Sequence, residues 1–163
     1  GLPERQLIKA DRNCGCMKNK DCCKVFHDRN RLCYGAQSYA TAHAIIDRLG
    51  IPKDRYSICF QSRLGSDPWM QPYASDVIKE LARKGCKRVL TFCPAFICDC
   101  LETLYEFEVE YREEFKHMGG ESLDLVPGLN KSAQWVQALR EIILKTQQDS
   151  ICPVLESQET VFC

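Results

Sequence analysis

The chain has 163 residues, enough for one domain of ordinary size with a real core. Lys and Arg number 22 and Asp and Glu also number 22, so the formal net charge is zero, which excludes the basic excess that nucleic-acid binding requires. No apolar run approaches the roughly 20 residues of a membrane span, and none reads as a secretory leader.

Residues 1–33 are polar, rich in cysteine and without apolar periodicity, and read as a loop or insert. The chain opens on Gly1-Leu2-Pro3-Glu4-Arg5 rather than on Met, and reads as cut from something longer. Over 34–49, "YGAQSYATAHAIIDRL" repeats Ala, Ile and Leu at helical spacing; Gly50 suits a C-cap and Pro52 follows. "YSICFQS" (56–62) predicts a short strand, and "GSDPW" is turn chemistry. "ASDVIKELARKG" (74–85) predicts an amphipathic helix closed by Gly85, and "RVLTFCPAF" (88–96) a buried strand. A glutamate-rich helix follows over 99–117, ended by Met118-Gly119-Gly120. A third strand (122–127) and a last helix (132–147) complete the pattern.

The organisation predicted is a cysteine-rich segment (1–33), a domain (34–148) and an unassigned tail (149–163). Short apolar strands alternating with helices imply an α/β fold, with a parallel sheet covered on both faces. Ligands of such sheets sit beyond the carboxyl ends of the strands. Residues 61–65 and 94–100 occupy those ends, and the glutamate helix starts at the second.

Within that helix Glu102, Glu106, Glu110 and Glu114 stand four apart with no lysine among them. Residues so spaced share one helix face, and each like-charged pair costs about 0.2–0.5 kcal/mol. The ladder is either a solvated face or a face meant to meet a positive species. His27, His43 and His117 read as structural or exposed.

Twelve cysteines are unevenly placed. Cys86, Cys93, Cys98 and Cys100 lie on apolar segments; Cys86 and Cys93, with Cys59, read as reduced core thiols. Cys14, Cys16, Cys22, Cys23 and Cys33 fall within "CGCMKNKDCCKVFHDRNRLC", where nearby lysines favour thiolates. Zinc and an iron–sulfur cluster both suit such a set, disulfides are the alternative, and the spacing alone does not choose.

The run Gln61-Ser62-Arg63-x-Gly65-x-x-Pro68-Trp69, then Cys93-Pro94-x-Phe96, then Asp99-Cys100-Leu101-Glu102-Thr103-Leu104, resembles the C-terminal half of the ferrochelatase family. "GLPER" and "VPGLN" (126–130) are similar to further family segments, so the likeness covers nearly all of 1–145 apart from the insert. The resemblance implies a three-layer Rossmann-like chelatase domain with a central parallel sheet, as one half of a two-domain enzyme. It implies insertion of ferrous iron into protoporphyrin IX to form protohaem. Coproporphyrin is the alternative substrate, and a non-catalytic iron–sulfur or zinc module the alternative class.

By the same likeness, Glu102 matches the family's metal-site glutamate, a catalytic residue for metal handling or proton acceptance at the macrocycle, and Glu106 and Glu110 continue a metal relay toward it. Ser62, Arg63, Trp69, Phe96 and Cys100 fall on segments lining the porphyrin cleft. The family's catalytic histidine would precede Gly1, and its N-terminal domain would form the other wall, so the fragment alone is expected to be inactive. Certain members carry a [2Fe–2S] cluster, and that likeness selects Cys16, Cys22, Cys23 and Cys33, with Cys14 as a spare. A cytoplasmic enzyme with peripheral membrane contact is expected.

Overall fold

A computed structural model of the chain describes residues 1–9, 16 and 21–149. The chain divides into two compact units, Gly1–Gly128 and Leu129–Cys163. In the first, the elements run α1 (Glu4–Lys9), α2 (Tyr34–Leu49), α3 (Ala74–Arg83), β1 (Arg88–Thr91), α4 (Leu101–Tyr105), a π-helical segment (Glu106–Tyr111), α5 (Arg112–His117) and β2 (Ser122–Leu125). The second holds α6 (Ala133–Asp149). Short 3-10 turns lie at Asp28–Asn30 and Lys53–Arg55.

The fold is α/β with a small parallel sheet. β1 and β2 pair in parallel, with Val89 opposite Leu123 and Thr91 opposite Leu125. Parallel strands require a crossover, and α4, the π segment and α5 supply it. Arg112 fastens that crossover by donating from Nε to the Leu123 carbonyl at 2.9 Å.

One face of the sheet packs on a core of Ala74, Ile78, Ala82, Phe107, Phe115 and Leu123. The three α3 residues stand four apart, as one buried helix face requires. A second core joins Leu7, Cys33, Ala36, Phe60 and Met70, with Cys16 and Cys23 packed against it. The cysteine-rich segment is therefore anchored by apolar contacts.

The structure departs from sequence expectation in five places. The predicted strand at 56–62 makes only an isolated bridge, Phe60 to Tyr73. Phe60 donates to the Pro72 carbonyl and accepts from Ala74, so a loop takes its ladder bonds, and Ser62 at φ 68° ends the extended run. β1 stops at Thr91 because the chain turns where Phe96 N–H reaches the Cys93 carbonyl. The segment 1–33 is not all loop, since α1 forms and buries Leu7. The glutamate helix changes pitch midway. Finally, the strand expected to be buried leaves Leu90 72% exposed among the described residues.

Helix ends follow local chemistry. Gly50 closes α2 in the left-handed region (φ 64°), where its N–H and that of Ile51 satisfy the Asp47 and Ile46 carbonyls. Gly120 is different. A Cβ there would run into the ring of Phe115, which is fully buried. Gly120→Ala is expected to lower unfolding stability by about 1–3 kcal/mol, as overpacking does. Adding Phe115→Leu should recover part of that loss relative to Phe115→Leu alone, read from urea midpoints.

Candidate functional site

Gln61 is the centre of the site. It is buried at the end of the extended run that carries Phe60. Its Nε2 donates to the Glu102 carbonyl at 2.8 Å and lies 3.4 Å from Glu106 Oε2. Its Oε1 accepts from the Cys93 thiol at 2.9 Å. The next residue adds a backbone bond, Ser62 N–H to Glu106 Oε2 at 3.2 Å. The left-handed backbone of Ser62 is one that a non-glycine residue adopts at a cost. Its hydroxyl is buried with no hydrogen-bond partner among the described residues.

The four glutamates meet four different environments. Glu102 is exposed at the start of α4. A bond from its own backbone N–H, then one from the Cys100 side chain, hold its carboxyl below the usual value. Glu106 is half-buried. Desolvation pushes its carboxyl above the usual value, Glu110 and Glu102 add to the rise, and the Ser62 and Gln61 bonds oppose it. Glu110 is exposed. Glu114 is neutralised by Lys79 at 2.9 Å.

Pitch decides which of these stay in line. In a straight α-helix, residues four apart advance by about 40° beyond a full turn, so a ladder of four drifts by roughly 120°. A π turn closes its hydrogen bond one residue later and rotates less per residue. The π segment thus opposes the drift, and Glu106, Glu110 and Glu114 all line one cleft of about 860 Å³. Arg63 and Lys79 line it as well. Tyr111 also lines it, its hydroxyl pKa raised by burial first and then by Glu106 and Glu110.

Of the residues selected from sequence, Glu106, Glu110 and Arg63 line this cleft, and Ser62 touches it through Glu106. Arg63 stacks 4.9 Å from the Tyr73 ring centroid. Glu102, Trp69, Phe96 and Cys100 are not among its lining residues. Trp69 donates to the Leu64 carbonyl at 2.9 Å and bridges Pro3. Cys100 caps α4. Sequence reasoning placed Gln61 only within the motif at a strand end, without a role of its own, and did not single out Lys79 or Tyr111. The backbone nitrogen of Gly1 lies 3.0 Å from the Gln61 carbonyl oxygen.

A second locus is formed by thiols. Cys22 Sγ and Cys23 Sγ are 3.6 Å apart, and Cys23 Sγ and Cys33 Sγ 3.9 Å. Four sulfurs placed tetrahedrally at ~2.3 Å from one metal would stand ~3.8 Å apart, so both contacts suit a shared ion. Cys33 is the N-cap residue of α2. Cys23 packs so close to Gly35 in its first turn that a Cβ there would be 3.0 Å from Sγ. A helix N-terminus favours thiolate. Burial, with the neighbouring thiols adding to it, pushes the Cys23 pKa up. No group of three or more His, Cys, Asp or Glu among the described residues is closed around one metal position. Cys14 lies outside the described residues.

The Glu106 shift makes stability depend on pH. Its folded pKa lies above its unfolded value, so the folded state holds that proton more tightly. The stability it carries is full below the unfolded carboxylate value and is lost as pH rises through the raised one. Glu106→Gln should flatten this segment of the profile and be at least as stable as the unmodified chain at neutral pH. Urea midpoints across about pH 4 to 8 would show it.

The ferrochelatase family model matches residues 1–147. The chain is 46% identical over 141 residues to a ferrochelatase of Pseudomonas fluorescens (strain Pf0-1), covering 85% of this chain and 41% of that protein. It is 43% identical over 149 residues to one from Ectopseudomonas mendocina (strain ymp), covering 91% and 44%. To one from Coxiella burnetii (strain Dugway 5J108-111) it is 38% identical over 148 residues, covering 91% and 42%. The chain thus spans about two fifths of the length of the curated relatives it matches. With the motifs around Gln61, Cys93 and Glu102 carried on an α/β framework and this match across nearly the whole described sequence, the chain belongs to the ferrochelatase family.

Proposed function

We propose that this chain supplies the metal-handling wall of a porphyrin cleft, in a cytoplasmic protein that inserts ferrous iron into protoporphyrin IX to form protohaem. The observation that carries the reading is Glu106, half withdrawn from water, clamped by Gln61 and Ser62, and facing the same cleft as Glu110.

The reaction makes three demands. An apolar macrocycle must be held, two pyrrole protons must leave, and a hydrated divalent cation must shed water at one face. Ferrous iron and a porphyrin dianion give haem once the two protons have departed. Carboxylate oxygens are hard ligands that hold a divalent first-row cation without the grip of thiolate. Glu110, exposed in the cleft, suits first capture of the ion. Burial holds the Glu106 carboxyl above its usual value, which suits a group that takes up a proton from the macrocycle. Glu102 is the exposed carboxylate at the head of the column and handles metal close to the macrocycle. Arg63, held on Tyr73 at the cleft wall, is placed to meet a propionate. Trp69, Phe96 and Cys100 serve the porphyrin from outside the acidic cleft. No described helix is long and apolar enough to cross a membrane, and peripheral contact is the proposed mode of exchange for so apolar a product.

For the thiol locus we propose a [2Fe–2S] cluster held by Cys16, Cys22, Cys23 and Cys33. The packing of Cys16 and Cys23 on the core that holds Cys33 supports it, and either sulfur separation taken singly suits two ligands on one iron. When bound, the cluster supplies a cross-link between the cysteine-rich segment and α2, since iron insertion itself transfers no electrons.

The catalytic reading is tested in the protein that carries this chain with the remaining length found in its relatives. Glu106→Gln is expected to lower kcat by about 10²–10⁴-fold with little change in the KM for porphyrin. Glu102→Gln is expected to impair metal insertion as well. Turnover within a few-fold of normal for both, with zinc or iron as the metal, would remove the assignment. Comparing protoporphyrin with coproporphyrin in that assay identifies the substrate. The cluster reading predicts iron and acid-labile sulfide in equal amounts, with visible absorption, in anaerobic preparations, and loss of both in Cys23→Ser. Zinc without sulfide would replace the cluster with a zinc site.

A further inference from the structure

We infer that Asn30 is the positioning residue of the thiol site, setting the separation between the Cys22–Cys23 pair and Cys33. This rests on the reading of those thiols as metal ligands.

Asn30 is a polar residue only 3% exposed. Its Nδ2 donates to the Cys22 carbonyl at 2.9 Å and to the Val25 carbonyl at 2.8 Å. Its Oδ1 accepts from His27 N–H at 2.9 Å. Its backbone N–H donates to the His27 carbonyl at 3.0 Å, and its carbonyl accepts from Cys33 N–H at 2.8 Å. One residue therefore grips the main chain of Cys22 through its side chain and that of Cys33 through its backbone. Both amide protons are used, and each meets a carbonyl.

That chemistry selects asparagine. Aspartate would keep the acceptor for His27 N–H but turn a second oxygen toward two carbonyls. Alanine would leave both carbonyls without a donor, and a buried polar group left unpaired is costly. Between Cys23 and Cys33 lie nine residues with no strand or α-helix to hold their ends. The apolar contacts of Cys23 and Cys33 fix where the two thiols lie against the core. The remaining freedom, the direction in which Cys22 leaves that core, is held by the Asn30 amide. Groups that orient ligands in this way typically change metal affinity by about 10–100-fold when removed.

The test uses the whole chain under anaerobic, reducing conditions, with Co²⁺ and Zn²⁺ as probes. Co²⁺ reports its thiolate surroundings by absorption, and Zn²⁺ is titrated against a competing chelator. The unmodified chain should bind with thiolate-to-cobalt absorption. Asn30→Ala and Asn30→Asp should each bind at least 10-fold more weakly, with shifted cobalt bands and an unchanged number of reactive thiols. Should the alanine variant lose the helix signal, the near-isosteric aspartate variant decides. Variants that bind within about 3-fold of the unmodified chain, with identical cobalt spectra, overturn the role of Asn30 even if their urea midpoints fall. No thiolate absorption in the unmodified chain removes the metal-site reading itself, and with it this inference.

Discussion

The structure turns on one carboxylate drawn half out of water while two others stand within electrostatic reach. Like charges at such spacing favour loss of one charge or arrival of a cation, and no lysine or arginine is paired to Glu106 among the described ion pairs. What holds it is a pair of neutral donors, the Gln61 amide and the Ser62 N–H. Neutral donors orient a carboxylate without cancelling its charge. A lysine in their place would have made a quiet ion pair of the kind seen at Glu114. The difference between Glu106 and Glu114, two turns apart on one column, separates a group left available from one already satisfied.

The same constraint organises the framework around it. Gln61 bonds to the backbone of Glu102 across 41 residues of sequence and to the Cys93 thiol after β1. The end of the extended run, the end of β1 and the head of α4 are thereby drawn to one point. Phe107 and Phe115, on the buried side of the same helical column, seal it against α3 and β2. Apolar packing on one side and the glutamine on the other leave the column little freedom to roll. That fixed orientation is what allows a change of helical pitch to translate into alignment of side chains.

Much of this was legible from residues alone. α2 was predicted to the residue because Ala and Ile recur at helical spacing and Gly50 stops the helix. The crossover pattern of the last two strands and the family motifs marked the acidic helix. What was not legible depended on contacts distant in sequence. A four-residue repeat looks the same in an α- or a π-helix, so the pitch change left no local mark. The run at 56–62 has a strand's composition, yet a loop takes its hydrogen bonds. Leu7 lies in a segment too short for periodicity to register. The cysteines were conspicuous, whereas Asn30, an ordinary residue for a polar loop, shows its role only through the five bonds it makes.

The small sheet carries a further consequence. With β1 joined only to β2 among the described residues, each strand keeps one side of its peptide ladder unpaired. Leu90 adds an exposed apolar side chain. Such edges recruit other strands, and charged residues are a common deterrent. Arg88 and Asp124 stand within the strands, and Lys87 and Glu121 just before them, so both polarities meet any approaching chain. Salt that screens those four charges weakens that deterrent along the strand edges.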